Sequence, residues 1–163
     1  MRIMPARYLI LLAVLLLTGT VGRADDVQYA SLKKSEVNWR TGPGEKYPIQ
    51  WVYREVGYPV RVLDAYDVWR QVQDVAGTVG WVHQNMLTDR RTVLVRQEGV
   101  LTRKPDNKSK TVAFVEPETV ARVLKCPEHT DKCLLSFRFR DKEYKGWFPR
   151  QLVWGLNDLE IID

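Results

Sequence analysis

The chain echoes itself, and the echo limits what it can fold into. Gly80-Trp81-Val82-His83-Gln84-Asn85-Met86-Leu87 returns as Gly146-Trp147-Phe148-Pro149-Arg150-Gln151-Leu152-Val153, with small, aromatic and apolar positions coinciding at an offset of 66. Upstream, Arg61-Val62-Leu63 returns as Arg122-Val123-Leu124 at an offset of 61, and Arg40-Thr41-Gly42-Pro43 loosely matches Arg103-Lys104-Pro105. The second copy is thus five residues longer, and the extra length is expected between Leu124 and Leu135, where both cysteines lie. Each copy is roughly 60 residues, a size that buries only part of its surface and is marginally stable alone.

The copies read as β-structure. Val60-Arg61-Val62-Leu63, Val68-Trp69-Arg70-Gln71-Val72 and Gly80-Trp81-Val82 put β-branched and aromatic residues in short runs between turn formers, the pattern of half-buried strands. No long stretch holds apolar residues on one helical face; the segment around Gln84 to Leu87 suits a single tight turn. Thr88 to Arg91 is too short and too poor in Gly and Ser for a flexible tether, so the two units should abut. Leu159-Glu160-Ile161-Ile162 alternates as a last strand would. The fold class is all-β: two tandem small barrels, residues 25–91 and 92–163.

Residues 1–24 have the layout of a cleaved secretory signal: Arg2 and Arg7, an apolar run from Tyr8 to Leu17, and the small-residue exit Gly22-Arg23-Ala24. The run is short for a membrane span, which takes about 20 residues. Cleavage after Ala24 leaves 139 residues carrying 22 basic and 20 acidic side chains, a net charge of +2 in place of +5. The expected location is periplasmic or secreted, with no stable membrane span after cleavage. Nucleic acid is an unsuitable partner, since the basic run Lys104, Lys108, Lys110 is interrupted by Asp106 and no broad basic stripe faces phosphates. In an exported chain the close pair Cys126 and Cys133 reads as a disulfide. A redox pair usually has Cys-x-x-Cys spacing, and a zinc site needs four ligands, or three and a water, for which only these cysteines, His129 and the nearby acids are on offer.

Asn38-Trp39-Arg40-Thr41-Gly42-Pro43-Gly44 resembles the Asn-x-Arg-x-Gly-Pro opening of bacterial SH3-like (SH3b) domains, Trp69 their central-strand Trp, and Gly80-Trp81-Val82 their closing strand. These landmarks cover residues 29–95. Residues 96–158 keep the closing Gly146-Trp147-Phe148 but lack the opening, and Leu135 stands where Trp is expected. On general grounds Gly42 and Gly44 flank a turn, Asn38 can bond local backbone, and Arg40 can lay its stem on an aromatic ring. Trp81 and Trp147 are expected in the cores.

Catalysis needs a convergent nucleophile, base and charge-holding group. The chain has two histidines, His83 and His129, and no metalloprotease, nucleophile-elbow or phosphate-loop motif. Asp25 and Asp26, and Asp64 and Asp67, suit a new N-terminus and a turn. The chain is read as a non-enzyme with no catalytic, metal or cofactor site. Binding falls instead to the aromatic-rich first unit, whose flat rings suit extended peptides or sugar faces. The candidates are Trp39, Arg40, Tyr47, Trp51, Tyr53 and Arg54, with the arginines meeting carboxylates. The resemblance implies a cell-envelope binding module for peptidoglycan or a peptide; the alternative is a scaffold that docks another envelope protein through a sheet edge.

Overall fold

The computed structural model describes residues 27–106, 108–157 and 160–163. The signal segment expected at residues 1–24 lies outside them, as does Leu159 of the expected last strand. The first half contains β1 (Gln28–Leu32), β2 (Val37–Arg40), β3 (Ile49–Tyr53), β4 (Pro59–Tyr66), β5 (Trp69–Gln73), β6 (Val79–His83), a 3-10 turn at Gln84–Met86 and β7 (Leu87–Thr88). The second half contains β8 (Thr92–Val95), β9 (Gly99–Thr102), β10 (Thr111–Val115), β11 (Val120–Lys125), β12 (Lys132–Phe139), β13 (Lys142–Pro149), a 3-10 turn at Arg150–Leu152 and β14 (Val153–Trp154). Each half is a seven-stranded sheet, ordered β3-β2-β6-β5-β4-β1-β7 and β10-β9-β13-β12-β11-β8-β14. Strand for strand the two orders are the same, and the fold is all-β with two small SH3-like units.

Strand register gives the correspondence residue by residue. Trp39 pairs with Trp51 as Leu101 pairs with Ala113, so β2 and β3 map onto β9 and β10 at an offset of 62. Arg40 therefore corresponds to Thr102, one place away from the Arg103 that sequence matching suggested. Val62 pairs with Val72 and Val123 with Leu135, moving the offset from 61 to 63; Val72 pairs with Gly80 and Leu135 with Gly146, moving it to 66. Two of the five extra residues thus lie where they were expected, between β11 and β12. The other three lengthen the β12–β13 hairpin, whose pairing continues through Phe137↔Tyr144, Arg138↔Glu143 and Phe139↔Lys142. Leu135 is the counterpart of Val72. The place of Trp69, opposite His83, belongs to Lys132, opposite Pro149.

The cores follow from alternation. In β6, Gly80 and Val82 are buried, so Trp81 points the other way and is half-buried; Trp147, between buried Gly146 and Phe148, does the same. Both tryptophans were expected inside, and period two puts them out. The largest fully buried aromatics are Trp39 in the first unit and Phe148 in the second. A Cβ on Gly80 would stand 3.0 Å from Trp39 Cε3, so the glycine makes room for the indole. The Cys126–Cys133 disulfide joins the end of β11 to the start of β12, with both cysteines fully buried. Ile162 makes one bridge to Cys126 and forms no further strand among the described residues.

The units touch through a polar junction. Ser31 Oγ and Thr92 Oγ1 are 2.5 Å apart; Ser31 also reaches Arg90 O at 2.6 Å and Thr92 reaches Gly57 O at 2.5 Å. Two hydroxyl protons serve these three contacts. Arg91 forms a two-pronged pair with Glu160, Nη1 to Oε1 and Nη2 to Oε2 at 2.8 and 2.9 Å, and lies over the Tyr29 ring.

Candidate ligand-binding groove

The structure separates the six residues singled out from sequence. Trp39 is fully buried and is corrected from ligand contact to core: it is flanked on β2 by exposed Asn38 and half-buried Arg40, so alternation turns it inward. Tyr53 stacks on it, ring centroids 4.2 Å apart and planes 21° from parallel. The Tyr53 hydroxyl donates to Asp74 Oδ2 at 2.5 Å, and Asp74 Oδ1 accepts from Thr78 N at 2.7 Å, fixing the turn between β5 and β6. Burial first, then the bond to Asp74, holds the Tyr53 phenol above its ordinary range; burial and the Asp74 charge raise Tyr58 as well. With ring and hydroxyl both engaged, Tyr53 braces the barrel.

Tyr47 closes over its own loop. A Cβ on Gly42 would come within 2.5 Å of the Tyr47 ring, so Gly42 serves close approach. Arg40 Nη1 donates to Glu45 O at 3.0 Å and Tyr47 O at 2.9 Å, tying the β2–β3 loop to β2. Asn38, expected to hold this bend, makes no side-chain hydrogen bond among the described residues. Arg54 is exposed and pairs with exposed Glu36 at 3.3 Å. Trp51 is 53% exposed on edge strand β3 and is the one aromatic of the four presented openly to solvent.

A groove of about 390 Å³ lies on the outer face of β2, walled by the β2–β3 loop and the first 3-10 turn. It gathers Asn38, Arg40, Trp69, His83, Asn85 and Met86, with Glu36 and Glu45 also lining it. Of the six sequence candidates it contains Arg40 alone. Trp69 and His83 meet edge to face, centroids 5.5 Å apart. His83 Nδ1 accepts from Asn85 N at 3.1 Å, which leaves Nε2–H as the donor of the neutral ring. The amides of Asn38 and Asn85 make no side-chain hydrogen bond among the described residues. The groove therefore offers two uncommitted amides, an imidazole N–H and carboxylates beside an indole, a set suited to the alternating donors and acceptors of an extended amide chain. Alternation along β2 was the available signal, since Asn38 and Arg40 share the face opposite Trp39.

Among the described residues no three His, Cys, Asp or Glu side chains could hold a metal ion, and no helix is long and apolar enough to cross a membrane.

Three solved structures resemble the chain distantly. NlpC2 from Trichomonas vaginalis is 12% identical over 78% of this chain and 48% of that one, with a TM-score of 0.34. NlpC1 from the same organism is 13% identical over 88% and 50%, with a TM-score of 0.36. An NlpC/P60 family protein from Bacillus cereus is 17% identical over 78% and 56%, with a TM-score of 0.34. The chain thus spans about half the length of each. No curated protein sequence matches it. Residues 33–89 match the family described as the bacterial SH3 domain, a span from the end of β1 through β7 that includes every groove residue. Residues 33–89 are thus a bacterial SH3-like domain.

Proposed function

We propose that the protein is an exported, non-catalytic binding module of the bacterial cell envelope, and that its first unit takes a peptide or the peptide stems of peptidoglycan. The observation that carries this reading is the groove inside the bacterial SH3 domain, where the unpaired amides of Asn38 and Asn85 flank Trp69 and His83. An extended amide chain supplies partners to such groups at the period of its own backbone, and an indole beside it adds apolar contact.

Co-sedimentation of the purified protein with intact sacculi tests this. The wild type should pellet, and a folded Asn38→Ala/Asn85→Ala variant should remain in the supernatant. If wild type and variant behave alike, the groove is not the site; if neither pellets, the wall is not the ligand. A second reading, docking to another envelope protein, draws on exposed Ile49, Trp51 and Val52 along the β3 edge. Trp51→Ala separates the two, because it should spare sacculus binding by the groove and abolish capture of a partner through β3.

A further inference from the structure

Strand β10 ends its sheet and pairs only with β9 among the described strands. A bulge interrupts its pairing with β9 between Thr111 and Ala113, but its outer side stays apolar: Phe114 is 82% exposed and Val112 37%. The surrounding sequence is Lys108-Ser109-Lys110-Thr111-Val112-Ala113-Phe114-Val115-Glu116-Pro117-Glu118. Its charge pattern reverses about Ala113, with two lysines before and two glutamates after at matching distances. All four charged side chains are exposed, and none forms an ion pair or a side-chain charge-assisted bond within the chain among the described residues.

We propose that β10 is the surface through which two copies of this chain pair, antiparallel, about a two-fold axis at Ala113. That register sets Lys110 of each copy opposite Glu116 of the other. It sets Val112 opposite Phe114, with the two Phe114 rings as diagonal neighbours within reach of each other. A two-fold interface uses every such contact twice, so a segment that is its own charge complement selects a second copy over an unrelated strand. The equivalent edge of the first unit does not have this property. About Trp51 the same operation opposes Pro48 to Arg54, Tyr47 to Glu55 and Lys46 to Val56, so no charge there meets its opposite. The pairing is therefore assigned to β10 and not to β3.

Sedimentation velocity across a dilution series tests the proposal. The wild type should show a monomer–dimer equilibrium that weakens with added salt. Lys110→Glu and Glu116→Lys should each raise the dissociation constant by about tenfold or more. The double variant Lys110→Glu/Glu116→Lys should return it toward the wild-type value, since the swap recreates both pairs. Circular dichroism confirms that each variant is folded, as substitutions at exposed positions allow. A wild type that stays monomeric throughout, a dimer that neither single change weakens, or a double variant as weak as the singles would each overturn the assignment.

Discussion

The ring of Tyr53 lies on that of Trp39, 4.2 Å between centroids and 21° from parallel, and so joins the edge strand β3 to the buried centre of the first unit. Because the Tyr53 hydroxyl also donates to the buried carboxylate of Asp74, the pair depends on the phenol staying protonated. Tyr53 and Tyr58 both have raised folded pKa values, against an ordinary value of 10.0. The unfolded chain thus loses these protons first, and stability, complete below pH 10, falls as the pH rises beyond it. Thermal melts from neutral to strongly alkaline pH should show that fall. Tyr53→Phe should melt lower at neutral pH, by ~1–3 kcal/mol for the lost bond to a buried charge, and should lose less on going alkaline. Equal alkaline losses in both proteins would refute this.

The glycines of the two closing strands should differ in their tolerance of a methyl group. At Gly146 a Cβ would meet Leu101 Cγ at 2.6 Å and the backbone oxygen of Thr102 at 2.7 Å. At Gly80 the nearest atoms are Trp39 Cε3 and Cβ, at 3.0 and 3.1 Å, with the backbone oxygen of Arg40 at 3.5 Å. Overpacking a core typically costs ~1–3 kcal/mol. Gly146→Ala should fall at or above the top of that range and Gly80→Ala toward the bottom, as measured by denaturant unfolding.

Reduction should act on the second unit. The Cys126–Cys133 bond closes a short loop between β11 and β12, and its chain-entropy contribution is ~2–3 kcal/mol. The Cys126→Ser/Cys133→Ser variant should unfold at lower denaturant, and hydrogen exchange should quicken in β11, β12 and β13 while Trp39 and its neighbours keep their protection. Uniform loss across both units would show that they unfold as one.

Arg91 tests how firmly the junction is held. Its side chain and that of Glu160 are 22% and 19% exposed, and the two-pronged pair also carries a bond to Gly155 O. Lysine keeps the charge but cannot supply the fork. Arg91→Lys should therefore destabilise the protein by ~1–2 kcal/mol, with a loss that moderate salt changes little because the pair is partly shielded. Full stability in the lysine variant would show that charge alone suffices.

Much of the fold was legible because alternation and turn chemistry are local. The echo of Gly80-Trp81-Val82 in Gly146-Trp147-Phe148 located matching closing strands, and Cys126 with Cys133 gave the cross-link. What failed was whatever depends on pairing across strands. Matching Trp69 to Leu135 followed the offset of the closing strand, but the hairpin pairs Trp69 with His83 and Lys132 with Pro149. Trp39 was taken for a ligand contact because it belongs to the aromatic-rich first unit; its inward turn is visible only once Asn38 and Arg40 are assigned to the outer face. His83 drew no role from the sequence, since Asn38 and Trp69 approach it through the sheet and not along the chain.

The mismatch between the two units has a further consequence. Through the strand register, Asn38, Arg40, Trp69 and His83 correspond to Val100, Thr102, Lys132 and Pro149. One chain therefore displays this set of groove groups once, despite having the frame twice. Avidity, in which a second tethered site multiplies the hold of the first, is closed to a lone copy by way of this groove and becomes open when copies associate.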